Sequence, residues 1–363
     1  MLNKQTILIT GGSGSWGNEL VKSILNKYSP KEIRIFSRGE LKQVEMKRKF
    51  HDPRIKYIIG DVRDKDKMLL ATNGVDTIFH LAALKHVPVC EENPEEAVHT
   101  NIIGTENVIY SALENGVKKV VDISTDKAVD PFNLYGVTKA CGEKLVIAAN
   151  LHNSTQFVCI RGGNVIGTNG SVVPLFVEQI DKTNEVTITD PRMTRFFMSL
   201  EEAIGLVLKA TAETVGGEIF VMKMPGCKIT DLAEVMIKRL GNSHTRIREI
   251  GIRPGEKLFE VLVSRYEVPR TYDLGKYFVI LPQINLPKIN DFYLQKKLNN
   301  IPESFDSNNA IQLNPEEIEQ MLVSDGWFDK TKEKEALNYL RNLDKDGLSN
   351  FFLAEGWIPN RQV

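Results

Sequence analysis

The chain has 363 residues, of which 42% are hydrophobic and 26% are charged. A chain of this length can bury a full core and is expected to form one large domain or two coupled domains. Its 46 basic and 47 acidic residues give a formal net charge of -1, so the composition offers no bulk attraction to nucleic acid or to an anionic membrane. Any binding of phosphate groups must therefore depend on local arrangements.

The cysteines and the N-terminal residues narrow the class of protein further. Cys90, Cys141, Cys159 and Cys227 are far apart and show no C-x-x-C spacing, which disfavours both a disulfide framework and a zinc site. We expect reduced thiols and no bound metal. The first residues run directly into an apolar strand pattern, without a leader or a spanning segment. We therefore expect a cytoplasmic protein that binds neither membrane nor nucleic acid.

Short apolar runs alternate with amphipathic stretches through the first 165 residues. The runs predict strands at residues 6–10, 33–37, 57–60, 77–81, 119–124 and 156–161. The stretches between them predict helices at residues 18–26, 41–50, 95–115 and 135–150. Such alternation predicts parallel βαβ units, and near-continuous apolar strands belong to a sheet that is covered on both faces. The sequence therefore predicts an α/β fold with a Rossmann-like, doubly wound parallel sheet.

The regular alternation of strand and helix patterns ends at about residue 165. Beyond it, the sequence predicts loops rich in Gly and Pro, shorter strands, and helices at 200–213 and 229–240. We interpret residues 1–165 as the Rossmann-like domain, with additional strand contributions from about 190–225. Residues 166–329 would form a smaller C-terminal α/β subdomain that caps the sheet and binds the substrate. Residues 330–363 would form a charged C-terminal extension.

A glycine-rich turn, T-G-G-S-G-S-W-G, joins the first strand to the first helix. Glycines let the backbone turn tightly and approach a pyrophosphate, whose charge then meets the free N–H groups at the helix N-terminus. The turn predicts a dinucleotide-binding site formed by Gly11, Ser13, Gly14, Ser15, Trp16 and Gly17. The alternative is a glycine-rich strand–helix turn that binds no ligand.

The end of the second strand indicates which dinucleotide binds. An acidic residue about twenty positions past the glycines would bind the ribose hydroxyls of NAD, but here the strand closes with Ser37 and Arg38, and Lys42 follows. A hydroxyl and a guanidinium suit a 2′-phosphate, which favours NADP over NAD. The alternative is a solvated Arg38 with Glu40 reaching the ribose. Other predicted cofactor contacts follow the third and fourth strands: Asp61, Val62, Ala82 and Ala83.

The stretch S-T-D-K-A-V-D-P-F-N-L-Y-G-V-T-K follows the fifth strand. Lys139 lies one helical turn beyond Tyr135 on the same face, where its charge would favour the phenolate and lower the pKa of Tyr135. Tyr135 would then act as a base, while Ser124 or Thr125 holds the hydroxyl that it deprotonates. The spacing alone could also be an amphipathic helix start. This set of residues resembles the catalytic residues of the extended short-chain dehydrogenase/reductases. The resemblance implies that Ser124, Tyr135 and Lys139 also contact the cofactor.

Eight motifs, in order along the chain, resemble one branch of that superfamily. The chain is similar to the UDP-N-acetylglucosamine 4,6-dehydratases, and most closely to the C5-inverting type that opens the pseudaminic acid pathway. The resemblance covers roughly residues 4–328. The motifs are T-G-G-S-G-S-W-G, S-R-G-E-L-K-Q, H-L-A-A-L-K-H-V-P, S-T-D-K-A, N-L-Y-G-V-T-K, G-N-V-I-G-T-N-G-S-V-V-P, D-P-R-M-T-R-F and I-R-P-G-E-K-L.

The resemblance implies a hydro-lyase reaction without net oxidation. Hydride leaves C4 of the sugar for NADP while Tyr135 takes the hydroxyl proton, and the resulting 4-ketone makes the C5 hydrogen acidic. A base then removes that hydrogen, the C6 hydroxyl leaves as water, and hydride returns to C6. Asp126 would protonate the leaving hydroxyl, and Lys127 would be the C5 base if burial and Lys139 depress its pKa. The alternative is a structural salt bridge between Asp126 and Lys127.

The resemblance also assigns residues to the UDP-sugar. The expected contacts are Lys85, Asn164, Val172, Val173, Thr194, Arg195, Arg253 and Glu256. The two arginines would supply positive charge for the diphosphate, with Thr194 beside Arg195, and Glu256 would accept hydrogen bonds from the ribose. The family further implies a homo-oligomer, either a dimer or a hexamer, and a role in polysaccharide biosynthesis.

Two positions depart from the family pattern and leave alternatives open. Gly162 stands where an aromatic residue is common, and Asp122 stands in the fifth strand where a small apolar residue is expected. A buried carboxylate there needs a partner or a raised pKa. Either change leaves open a C5-retaining dehydratase or one that releases a 5,6-unsaturated sugar. A UDP-hexose 4-epimerase and a non-catalytic NADP-sensing protein also remain open.

Overall fold

The computed structural model describes residues 1–166, 171–252, 255–296 and 298–329. The chain divides into two compact units. The first contains Met1–Gly162, Glu201–Lys223 and Val261–Phe305, and the second contains Gly163–Leu200, Met224–Glu260 and the described chain from Asp306 onward. The predicted extension at 330–363 and the predicted substrate residue Arg253 lie outside the described residues.

Strands and helices alternate along most of the described chain. The strands are β1 (Thr6–Thr10), β2 (Glu32–Ser37), β3 (Ile55–Ile59), β4 (Thr77–His80), β5 (Lys119–Thr125), β6 (Gln156–Gly162), β7 (Asn164–Val165), β8 (Glu185–Ile188), β9 (Thr194–Met198), β10 (Ile219–Met222), β11 (Gly226–Lys228), β12 (Arg246–Glu249), β13 (Val261–Val263), β14 (Thr271–Asp273), β15 (Tyr277–Ile280) and β16 (Phe305–Asp306). The helices are α1 (Ser15–Lys27), α2 (Glu40–Lys49), α3 (Lys65–Thr72), α4 (Val87–Glu92), α5 (Pro94–Val98), α6 (Gly104–Glu114), α7 (Leu134–Ala148), α8 (Val172–Thr183), α9 (Leu200–Glu213), α10 (Ile229–Leu240), α11 (Pro287–Gln295) and α12 (Pro315–Ser324).

The first unit is built on a nine-stranded sheet with the strand order β14-β15-β10-β6-β5-β4-β1-β2-β3. Strands β1 to β6 and β10 pair in parallel, and β15 pairs antiparallel with β10 and β14. Every residue of β1 and β4 is buried, as expected of parallel strands covered on both faces. The predicted α/β fold with a doubly wound parallel sheet is confirmed.

The predicted helix at residues 95–115 is three consecutive segments: α5, a π-helical turn at His99–Ile103, and α6. Asn101, within the π-helical turn, bonds both main-chain groups of Leu84, at 2.8 and 2.9 Å, and donates to the Thr138 hydroxyl at 3.0 Å. A widened turn of this kind re-aims a side chain. Here one amide joins the chain after β4 to α7.

The second unit has small sheets and a core of its own. Strand β9 pairs with β11 and β7, and β8 pairs with β12. Helices α8, α10 and α12 contribute to one buried cluster that includes Phe176, Phe197, Met236 and Ile318. No helix of the described chain, in either unit, combines the length and the apolar character needed to cross a bilayer.

The two units are interleaved along the sequence. Residues 201–223 and 261–305 belong to the first unit. The sequence interpretation assigned strand contributions from about 190–225 to this domain but placed residues 261–305 in the other. The reason is sheet pairing: Ile219–Met222 form β10 beside β6, and β15 and β14 continue the same sheet. Strand pairing between distant segments of the chain therefore decides which residues belong together.

A buried ion network ties α7 to the chain after β13. The Arg161 guanidinium donates to both carboxylate oxygens of Glu143 at 2.7 and 3.0 Å, to Glu267 at 3.0 and 3.2 Å, and to the Leu262 carbonyl at 2.9 Å. The arginine side chain is 2% exposed. Two-point contacts of this kind are among the stronger hydrogen bonds in proteins. Arg270 also lies 3.6 Å from Glu267, but Arg161 is the cation that both carboxylates share, so the network should be sensitive to its loss.

Substitution Arg161→Leu should strongly destabilise the protein, because it leaves the Glu143 carboxylate buried without its counter-charge and leaves Glu267 with only the longer contact to Arg270. We expect the free energy of unfolding to fall by about 3–5 kcal/mol, measured by chemical denaturation at neutral pH. Arg54→Leu is the matched control, since Arg54 pairs with Asp52 in a more exposed contact, and it should change stability by at most about 1 kcal/mol. Equal small effects would contradict a structural role for the network.

Candidate active site

The glycine-rich turn between β1 and α1 is shaped by close backbone contacts. Gly11 has a φ of +65°, and a Cβ at this position would lie 2.8 Å from the Ala82 nitrogen. A Cβ on Gly17 would lie 2.0 Å from the Gly12 carbonyl oxygen, whereas a Cβ on Gly14 would lie 3.3 Å from the Gly11 carbonyl oxygen. Gly11 and Gly17 are thus required to fold the turn, while Gly14 has more room around it.

The N-terminus of α1 has the properties of an anion-binding site. Gly14 is the N-cap residue, no side chain caps the helix, and the first turn holds no acidic residue. The first backbone N–H groups, beginning at Ser15 and Trp16, therefore suit a negatively charged group. Ser13 donates a hydrogen bond to the Ser37 hydroxyl at 2.9 Å, which joins this turn to the end of β2.

Arg38 follows β2 and keeps much of its side chain in solvent. It is 53% exposed, and its Nη1 lies 3.8 Å from Oδ2 of Asp61. Burial opposes ionisation of Asp61, but hydrogen bonds from Arg63 outweigh it and hold the pKa of Asp61 below its ordinary value. Arg38 therefore presents a guanidinium next to a carboxylate that Arg63 already neutralises.

Other predicted cofactor residues have packing roles in the structure. Val62 is 5% exposed, and a Cβ on Gly104 of α6 would lie 2.7 Å from its Cγ2. Ala82 packs on Gly11, and Ala83 next to it is half-buried. Their contacts with a cofactor stay predictions.

The predicted catalytic residues that follow β5 are brought together. Thr125 donates a hydrogen bond to Oδ1 of Asp126 at 2.8 Å, and Nζ of Lys127 lies 3.1 Å from the same oxygen. The Thr125 hydroxyl lies near enough to the phenol of Tyr135 to lower its pKa. An acid, an amine and a phenol therefore share one small volume. The ion pair also fits the structural alternative, so the catalytic roles stay predictions.

The pKa of Tyr135 is raised, which corrects the expectation that it is lowered. Burial is the largest influence and raises it, while the charge of Lys139, the Thr125 hydroxyl and the charge of Lys127 lower it by less. The expected influence of Lys139 is present, but the cost of burying a phenolate depends on the depth of burial, which the motif does not reveal. Tyr135 is therefore a neutral phenol at neutral pH.

Lys139 is paired with Asp122, the residue that departs from the family pattern. Nζ of Lys139 lies 3.3 Å from each carboxylate oxygen of Asp122, and the two side chains are 4% and 0% exposed. The register of the sheet sets Asp122 beside His80 on β4 and Cys159 on β6. The partner that a buried carboxylate needs is thus the predicted catalytic lysine. Sequence reasoning missed this pair because it depends on how α7 lies on β5.

His80 is held as a neutral structural residue. Its Nδ1 lies 2.7 Å from the Thr10 hydroxyl, and its Nε2 lies 3.1 Å from the Thr105 hydroxyl. Burial lowers the pKa of His80 to about 4, against an opposing influence of Asp122. His80 therefore links β1, β4 and α6 without carrying charge near neutral pH.

Three lysines that were predicted for different roles lie near one another. Lys85 is exposed to solvent, but the surrounding chain desolvates its ammonium in part; this lowers its pKa first, and the charges of Lys127 and Lys42 lower it further. Clustered like charges raise the local concentration of ions of the opposite sign. The predicted substrate residue, C5 base and cofactor residue thus belong to one positive region of the first unit.

Ser124 supplies a buried hydroxyl that suits a ligand. It is 7% exposed, and its Oγ has no hydrogen-bond partner among the described residues. A buried hydroxyl without a partner is costly and calls for an explanation. Together with the open N-terminus of α1, it makes the residues of the first unit fit a dinucleotide.

In the second unit, the predicted substrate residues Thr194 and Arg195 are engaged within the fold. The Thr194 hydroxyl lies 2.8 Å from the Ser307 hydroxyl. Arg195 is 8% exposed, donates to the carbonyls of Thr194 and Leu258 at 2.8 and 3.2 Å, and lies 3.8 Å from Glu260. Arg195 would need to change partners to meet a diphosphate.

The other predicted substrate residues of the second unit differ in burial. Val173 is fully buried within the apolar cluster, so any contact with a nucleotide would have to be made by its main chain, and its assignment stays a prediction. Val172, Asn164 and Glu256 are half-buried, and their contacts with a substrate stay predictions.

Substitution Gly17→Ala should destabilise the protein because the added Cβ meets a backbone oxygen that no rotamer change can move away. We expect the free energy of unfolding to fall by about 1–3 kcal/mol, measured by equilibrium denaturation. Gly14→Ala adds the same methyl group where there is more room and should lose less, about 1 kcal/mol or below. A Gly17→Ala protein as stable as wild type would show that the turn does not need the close contact.

The doubly wound sheet, the glycine-rich turn at its first strand and the Tyr135–Lys139 pair together define a Rossmann-like α/β protein of the dehydrogenase/reductase type. The family described as "Polysaccharide biosynthesis protein" matches residues 7–282. The chain belongs to this family.

Named relatives agree with the resemblance seen in the motifs. The chain is 48% identical over 297 residues to the UDP-N-acetylglucosamine 4,6-dehydratase (inverting) of Campylobacter jejuni, across 80% of this chain and 87% of the relative. It is 44% identical over 331 residues to a protein of Rickettsia bellii named UDP-glucose 4-epimerase, across 89% and 97%. The X-ray structure of Pen from Bacillus thuringiensis matches with a TM-score of 0.81 and 37% identity, covering 89% of this chain and 99% of that one. The resemblance to the inverting dehydratases is confirmed.

Proposed function

We propose that the protein is a nucleotide-sugar 4,6-dehydratase. It converts UDP-N-acetylglucosamine to a UDP-2-acetamido-2,6-dideoxy-4-keto-hexose with inverted configuration at C5, and it uses NADP. The observation that carries this proposal is the cluster of Thr125, Asp126, Lys127 and Tyr135. Loss of water needs an acid and a base in addition to the phenol. The name of the Campylobacter jejuni relative supports the same reaction.

Each member of the cluster has a distinct task. Tyr135 takes the proton of the C4 hydroxyl in its ionised form, a minor form at neutral pH that the charges of Lys139 and Lys127 make more accessible, and Thr125 lies beside the phenol. Asp126 and Lys127 form an ion pair, so one proton must first pass from the Lys127 ammonium to the Asp126 carboxylate. The neutral Lys127 amine then removes the C5 proton, and the Asp126 carboxylic acid delivers its proton to the C6 hydroxyl as that group leaves as water. NADP, when bound, would supply the group that takes hydride from C4 and returns it to C6.

The first unit would hold the cofactor. The N-terminus of α1 would receive the pyrophosphate, and Ser124 and Lys139 would bind near the nicotinamide. The half-exposed guanidinium of Arg38 would bind the 2′-phosphate, which is why we propose NADP rather than NAD.

The positive region of Lys42, Lys85 and Lys127 would attract the negatively charged UDP-sugar. Within the second unit we retain Asn164, Val172, Thr194, Arg195 and Glu256 as proposed contacts, together with Arg253 in the part of the chain that is not described. By the same family relationship we propose a homo-oligomer and a role in pseudaminic acid synthesis.

A UDP-hexose 4-epimerase is the second candidate, and the name of the Rickettsia bellii relative favours it. An epimerase needs the cofactor and the phenol but has no use for an acid and an amine beside them. The cluster around Asp126 and Lys127 therefore favours the dehydratase.

Incubation of the purified protein with UDP-N-acetylglucosamine in heavy water tests the proposal. We expect mass spectrometry to show loss of one water, and proton NMR to show deuterium at C5 with ring couplings of the inverted sugar. Tyr135→Phe should lower turnover by about 10²–10⁴-fold, because the C4 hydroxyl loses its base. Tyr272→Phe is the matched control, since Tyr272 lies on the outer strand β14, and it should keep wild-type activity.

Three other results would each overturn part of the proposal. A product of unchanged mass with inverted C4 would identify the epimerase. Binding of NADP with the sugar left intact would identify a sensor. Full activity of Tyr135→Phe would remove the phenol from the mechanism.

The choice of cofactor can be tested at Arg38. Arg38→Ala removes a charge-assisted contact worth about 1.5–3 kcal/mol, so the dissociation constant for NADP should rise by roughly 10–150-fold. The constant for NAD should change little, as should both constants in the control Glu40→Gln. Isothermal titration calorimetry measures the dissociation constants of NADP and of NAD for each protein. If Arg38→Ala weakens NAD and NADP equally, or wild type binds NAD more tightly, the proposed phosphate contact is wrong.

A further inference from the structure

The pair formed by Asp122 and Lys139 is unusual for its place in the fold. Asp122 lies in the middle of β5, a central strand of the sheet, and its side chain is fully buried. Both of its carboxylate oxygens lie 3.3 Å from Nζ of Lys139. A buried ammonium without a counter-charge is strongly unfavourable. The arrangement therefore raises the question of what keeps Lys139 charged.

The groups that face Lys139 come from four elements. His80 on β4 is neutral, because burial lowers its pKa to about 4. Cys159 on β6 is a neutral thiol, because burial raises its pKa well above the ordinary value, and Tyr135 on α7 is a neutral phenol. Asp122 on β5 supplies the negative charge among these neighbours.

Further out lie two groups of opposite charges. Arg161 and Glu143 act on Cys159 and belong to a network with Glu267 and Arg270, which holds two cations and two carboxylates. Asp126 and Lys127 act on Tyr135 as an ion pair. Each group is balanced in charge, so neither replaces Asp122 as the counter-charge of the lysine.

The protonation of Lys139 is a balance of two opposing influences. Burial is the larger single influence and lowers its pKa, whereas the charge of Asp122 and its hydrogen bonds raise it, with smaller contributions from Tyr135 and Cys159. The net result is a raised pKa. Without Asp122, burial would dominate, and full burial can lower the pKa of a lysine by about 3–5 units.

We propose that Asp122 is a positioning residue that keeps Lys139 protonated and fixed beside Tyr135. Its catalytic consequence rests on the proposed function, because a phenol ionises more readily beside a permanent cation. Its effect on Lys139 itself does not depend on which reaction the protein catalyses. The two parts can therefore be tested separately.

The catalytic part predicts a shift in the pH profile of Asp122→Asn. This variant keeps the shape of the side chain but removes the charge, so Lys139 should lose its proton at lower pH. We expect the alkaline limb of kcat/KM to move to lower pH by about 1–3 units. Lys139→Arg provides the matched background, since arginine stays protonated, and adding Asp122→Asn there should leave the alkaline limb unshifted.

The pH dependence of unfolding gives a readout without activity. In Asp122→Asn, folded Lys139 would be neutral while unfolded Lys139 binds a proton below about pH 10.4. The unfolded state then gains protons as pH falls, and the variant should lose stability between about pH 10 and pH 7. Asp122→Asn/Lys139→Met is the control, and it should lack this loss because methionine does not titrate.

A measurement on the wild-type protein avoids any variant that fails to fold. The nitrogen chemical shift of Lys139 Nζ should report an ammonium at and above about pH 10.4, the ordinary pKa of lysine. A neutral amine there would overturn the proposal. The proposal would also be overturned if the kcat/KM of Asp122→Asn fell equally at all pH values, or if the acid limb of its pH profile moved and the alkaline limb did not. Absence of dehydratase activity together with the predicted unfolding pattern would support the role of Asp122 and refute the proposed function alone.

Discussion

The candidate site depends on one geometric constraint, which is that parallel strands end at the same edge of their sheet. The glycine-rich turn follows β1, Arg38 follows β2, Asp61 follows β3 and Lys85 follows β4. The cluster from Thr125 to Lys127 begins where β5 ends. Residues far apart in sequence are therefore neighbours because the strands run side by side in one direction. An antiparallel sheet of the same strands would scatter them over two edges.

Burial sets the electrostatics within that geometry, and it acts differently on each group. It raises the pKa of the Tyr135 phenol and lowers that of the His80 imidazole, so both are neutral. For Lys139 burial is again the largest single influence, but the carboxylate of Asp122, with smaller contributions from Tyr135 and Cys159, offsets it, and the charge is kept. The same apolar surroundings thus remove charge where no partner exists and preserve it where one does. Function in such a site is decided by which charges are paired.

The sequence predicted the parallel sheet and the neighbourhood of the cluster because both follow from local order along the chain. Apolar runs alternating with helical patterns predicted the strands β1 to β6 and their parallel pairing, and the residues that follow each strand could be read directly from the chain. Three features were not predictable in this way. The raised pKa of Tyr135 requires the depth of burial, the pairing of Asp122 requires the way α7 lies on β5, and the burial of Val173 requires the packing of the second unit.

The interleaving of the two units has a consequence for how the chain can be divided. β10, β15 and β14 come from residues beyond 200, yet they extend the sheet next to β6. In a fragment that ended after β6, this strand would become an exposed, apolar edge strand, which can pair with other chains and cause aggregation. A single truncation of the chain therefore cannot yield an intact first unit. The nine-stranded sheet can be completed only after most of the polypeptide has been synthesised.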